Sequence, residues 1–142
     1  MGWGVVGRRA ISYFRMYRWN LPGNTLARNS RGWWTRRKSF CGNNHQQFVR
    51  AALADELGSP AYDTPGCVRV QAVESGAWPM LVELWASYNR YLVHVIRHLP
   101  DAKLEVVCRM GPNAPVSLGY LVEDYVRHLA HHLDQVGVAA GS

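Results

Sequence analysis

The chain has 142 residues, 48% of them hydrophobic, which suits one domain able to bury a core without covalent staples. Its three cysteines, Cys41, Cys67 and Cys108, are odd in number and far apart, and this excludes a disulfide framework or a thiolate zinc knuckle and fits a reducing cytoplasm. The net charge of +6 is uneven: residues 1–43 hold nine Arg or Lys and no acid, a charge of +9, while the rest hold seven basic and ten acidic residues, a charge of −3.

Residues 1–42 read as an atypical basic segment, poorly ordered or a short helix. Trp3, Trp19, Trp33 and Trp34 lie among its arginines, and only Ala10 to Trp19 suggests an amphipathic turn or two. Pro22-Gly23, Asn29-Ser30 and Gly32 are turn signals. Arginine with tryptophan can bind nucleic acid through phosphate contacts and stacking, but without a recognised motif this is the weakest of the functional readings. Apolar runs are too short for a membrane span, and Arg15 and Arg18 interrupt the stretch that would make a signal peptide.

From Asn43 the pattern becomes regular, and residues 43–137 form the predicted domain, with 138–142 as a tail. Asn43 and Gln46 have capping-box spacing, and Phe48, Val49, Ala52 and Leu53 continue a helix that Gly58-Ser59-Pro60 ends. Ala61 to Ala77 reads as a long connection in which any helix is short. A long helix then opens at Pro79, carries Leu81, Leu84, Trp85, Tyr88, Tyr91, Leu92, Val95, Ile96 and Leu99, and stops at Pro100. Asp101 to Pro115 reads as a loop. Ser117 caps a last helix whose inward positions are Leu118, Leu121, Val122, Tyr125, Leu129, Leu133 and Val136. Three amphipathic helices call for a fourth, supplied from before Asn43, so the predicted fold class is all-α, a four-helix bundle with its first helix degraded or replaced.

Six histidines carry the chemistry. His128 and His132 stand four apart, one helical turn, so two imidazoles can converge on one metal ion. They border the apolar stripe. His94 and His98 have the same spacing but lie toward Arg90 and Arg97, and read as surface; His131 points about 100° away from the pair. On an anonymous helix, such spacing more often marks solvated or hydrogen-bonded histidines than ligands.

The stretch Pro115 to Val136, with His128-Leu-Ala-His131-His132 at its centre, resembles the last helix of the DinB/YfiT-like metalloenzymes. Asn43 to Ala51 and Leu81 to Leu92 resemble the corresponding segments, so the resemblance covers about residues 43–136. It implies a four-helix bundle that holds a divalent metal ion, typically nickel or zinc, through three histidines, and assigns two of them to His128 and His132. In relatives the third comes from an earlier helix shortly before the position of Asn43. Here Asn29 to Gly42 contains no histidine. Three explanations stand: His45 takes the third place, the site has lost its metal, or residues 1–42 are not the family's natural N-terminus.

The resemblance implies a metal-dependent enzyme of transferase or hydrolase type, with a low-molecular-weight thiol or another small molecule as partner and a homodimer as assembly. No catalytic residue is assigned. Glu123, Asp124 and Asp134 are candidates to orient the imidazoles. The alternative is a non-catalytic helical bundle, a scaffold or dimer that keeps a remnant site.

Overall fold

The computed structural model describes residues 43–61, 63–72 and 75–135, with the side chains of residues 64 and 132–135 outside that set. The basic segment 1–42 and the tail 138–142 therefore lie outside the described residues, as does the fourth helix assigned to the start of the chain. What is described is mostly helical. The elements run α1 (Asn43–Leu53), β1 (Glu56–Ser59), α2 (Thr64–Val70), α3 (Trp78–Arg97), a 3-10 turn (Asp101–Lys103), β2 (Val107–Met110), β3 (Val116–Ser117) and α4 (Leu118–Gln135).

The three strands correct the all-α expectation. They form a sheet in the order β1-β2-β3, with β1 parallel to β2 from Glu56 opposite Val107 to Ser59 opposite Met110, and β3 antiparallel to β2 with Val116 opposite Cys108. A parallel pair needs a crossover, and α2 with α3 supplies it. The predicted first helix is accordingly too long: it ends at Leu53, and the Gly58-Ser59 signal ends a strand. Lys103 Nζ donates to the Ala54 carbonyl just past α1 at 2.9 Å, a cation at the negative end of the helix. The predicted loop 101–115 contains β2. It turns at Gly111, whose φ of 55° suits glycine and whose N–H donates to Ser59 O at 2.9 Å.

Other expectations hold. α2 is short, and Asp63 caps it by accepting from Gly66 N at 2.9 Å. α3 has Pro79 in its first turn and closes before Pro100. Its inward face is rotated from the predicted one: Trp85, Ala86, Asn89, Leu92, Val93 and Ile96 are buried, whereas Leu84 and Tyr91 are exposed. On α4, Val126 and Ala130 join Leu118 and Val122 in the buried set, with Leu121, Tyr125 and Leu129 half-buried, so two unlisted residues belong to the core. Leu133 and Val136 cannot be compared, since the side chain of the first and all of the second lie outside the described residues.

The main core sits where the sheet meets the helices. Phe48, Ala51, Cys108, Leu118 and Val122 are fully buried there, with Leu57, Leu92 and Ile96 around them. Among the described residues no helix is long and apolar enough to cross a membrane.

Candidate functional site

The start of α4 is fixed before its histidines are reached. Ser117 Oγ accepts from Tyr120 N at 3.2 Å, while Leu118 N and Gly119 N donate to Val106 O and Leu104 O at 2.9 and 2.8 Å. Three of the first-turn N–H groups that a helix leaves unpaired are thereby satisfied by the segment leading into β2 and by the cap. From there the buried residues recur every four positions, Leu118, Val122, Val126 and Ala130, so the buried stripe drifts gradually around the helix.

His128 follows Tyr125 by three residues and is exposed; His131 is exposed as well. His132 occupies the next turn of the same helix, and its side chain lies outside the described residues. His45, in the first turn of α1, is half-buried, with its ring edge-on to Tyr91 at 5.2 Å and to Tyr88 at 6.4 Å between centroids. Of the carboxylates named as imidazole partners, Asp124 is bound to Arg127 on its own helix, Glu123 is half-buried, and the side chain of Asp134 lies outside the described residues.

The sheet relates α1 to α4. The C-terminal end of α1 leads into β1 and the N-terminal end of α4 leaves β3; Glu56 and Ser117 both pair with Val107, so the two helices meet the sheet at the same end of its strands. Phe48 meets Tyr125 edge to face at 5.9 Å midway along the contact. Moving from that contact away from the sheet leads back along α1 toward residue 45 and forward along α4 toward residue 128. By chain direction, α1 runs toward the sheet and α4 runs away from it. The donor chemistry suits a divalent metal, since neutral imidazole is a ligand for nickel and zinc alike. Among the described residues, no group of three His, Cys, Asp or Glu side chains is close enough to hold an ion.

Between α3 and α4 lies a polar contact that the sequence pattern does not announce. Asn89, 3% exposed, donates from Nδ2 to Trp85 O at 2.7 Å and accepts from the Tyr125 hydroxyl through Oδ1. Burial pushes the Tyr125 phenol far above its ordinary value of 10.0, and the neighbouring Tyr88 phenol adds to the shift. Tyr88 is raised too, chiefly by burial, with the His45 backbone opposing the rise. The available signal was a lone Asn in the apolar face of α3, one turn beyond Trp85.

The second pair, His94 and His98, is exposed at the end of α3, as its spacing from the apolar stripe predicts. Their rings lie 4.3 Å apart between centroids, and His98 Nδ1 is 2.7 Å from His94 O.

No curated protein and no solved structure matches the chain significantly. A sequence model of the DinB superfamily matches residues 7–136, reaching back from the histidine-bearing helix well into the basic N-terminal segment. With nearly its whole length matched, the chain belongs to the DinB superfamily.

Proposed function

We propose that this DinB-superfamily chain is a metal-dependent enzyme whose divalent ion, nickel or zinc, is held by His128 and His132 of α4, with His45 of α1 as the third ligand. The carrying observation is the contact of α1 and α4 across Phe48 and Tyr125, which leads from their common sheet anchor toward the histidine end of each helix. When bound, a metal with three protein ligands keeps an open position at which it lowers the pKa of a coordinated thiol or water. The chain's residues do the rest. The Tyr125–Asn89 bond and the buried face of α4 hold the helix in one rotation, and the edge-on contact of His45 with Tyr91 limits where its ring can turn. A small thiol is the substrate class that a transferase of this kind would activate, and a homodimer is the assembly.

The second reading is an inert bundle with a remnant site. It is favoured by the exposure of His128. Elemental analysis of untagged protein separates the two. The enzymatic reading expects one metal per chain, lost in His128→Ala and in His132→Ala and weakened in His45→Ala; a metal-free parent protein leaves the inert bundle.

A further inference from the structure

We propose that His94 and His98 form a second, two-imidazole site at the C-terminal end of α3, which binds copper(II) ahead of nickel(II) and is independent of the α4 histidines. The first argument is spacing. Their centroids are 4.3 Å apart. Two imidazoles bound through Nε2 at about 2.0 Å and about 90° to each other place their centroids roughly 4.4 Å apart, whereas a tetrahedral angle spreads them to roughly 5.1 Å. The separation is close enough for both rings to reach one ion once they turn toward it.

The second argument is the proton. His98 Nδ1 lies 2.7 Å from the His94 carbonyl oxygen, and a carbonyl can only accept, so Nδ1 carries the hydrogen. In the neutral ring, Nε2 then keeps its lone pair and turns away from the helix. A backbone carbonyl bonded to the distal nitrogen is the outer partner that ligating histidines commonly have. The rings are tilted by 40°, and because His98 is held by its carbonyl, the remaining adjustment is rotation of the His94 ring.

The third argument is the field. The last carbonyls of a helix carry a partial negative charge that favours a cation, and His98 is the C-cap of α3. Arg90 and Arg97 act against it from adjacent turns, although Arg90 is drawn aside to Ser87 Oγ at 2.9 Å. This opposition favours the ion that binds imidazole most strongly, and copper(II) heads that order. Both rings are exposed, so binding disturbs no core residue.

Copper(II) chloride titrated into full-length untagged protein, followed by electron paramagnetic resonance and chelator competition, tests the site. Nitrogen hyperfine structure is expected, with copper affinity at least about tenfold weaker in His94→Ala and in His98→Ala, because the second imidazole no longer binds as an intramolecular partner. The same affinity is expected to persist in the His128→Ala/His132→Ala protein, which tests the α4 metal reading separately. Far-ultraviolet circular dichroism checks that the variants fold. Copper affinity unchanged in both α3 variants, abolished only by the α4 substitutions, or absent in the parent overturns the proposal.

Discussion

The two ends of α4 obey different rules. At its start every group is committed: Ser117 caps, Leu118 N and Gly119 N bond to the Leu104–Val106 segment, and Leu118 is fully buried against Phe48, Ala51 and Cys108. At its far end the buried residues are Val126 and Ala130, with Val93 of α3 and half-buried Leu129 beside them, and His128 and His131 are exposed. The larger core lies where the sheet gathers the helices, and the exposed histidines of α4 lie beyond it.

If that division is real, removing the sheet-end core costs most. Phe48→Ala is expected to destabilise the protein by about 3–5 kcal/mol in urea denaturation, the range for deleting a buried aromatic side chain. A loss below about 1 kcal/mol would mean that the core is not centred there.

The middle of the contact gives a smaller effect with a distinctive pH dependence. Tyr125→Phe leaves Asn89 Oδ1 without its donor and is expected to cost about 1–3 kcal/mol. Because burial raises the Tyr125 phenol above its unfolded value of 10.0, the folded state keeps the proton when the unfolded state releases it. Stability is therefore complete below that value and falls as pH rises through it. The urea midpoint should drop between about pH 9 and pH 11, less steeply in Tyr125→Phe than in the parent; equal slopes would show that this phenol is not the group responsible.

The cap gives the smallest change. Ser117→Ala is expected to cost about 1 kcal/mol in the same denaturation assay, since Tyr120 N loses its acceptor while the backbone bonds to Val106 and Leu104 remain. Ser117→Asp should recover most of it.

Much of the helical layout was legible because its signals are local. Proline at the start of α3 and just past its end, serine before α4 and the three-and-four recurrence of apolar residues all act within a turn or two. The strands were not legible for the converse reason. Glu56–Ser59 and Val107–Met110 are four residues each with one deeply buried side chain apiece, Leu57 and Cys108, and neither run has a period long enough to separate it from a loop. Each becomes a strand through pairing with a partner some 50 positions away in the chain. The rotated face of α3 has a similar origin. Tyr91 and Leu84 fit an apolar stripe by composition, yet packing turned Asn89 inward because the Tyr125 hydroxyl and the Trp85 carbonyl satisfy its amide.

The spacing of His128 with His132 and of His94 with His98, the family-specific histidine helix and the charge break near residue 43 are properties of the chain itself, since each is fixed by order along the sequence. Which ends of the helices share a neighbourhood and which tyrosines meet His45 edge-on were decided only on folding. The physical reason is that a helical turn is set by bonds between near neighbours, whereas direction, rotation and burial are set by partners that the chain must first bring together.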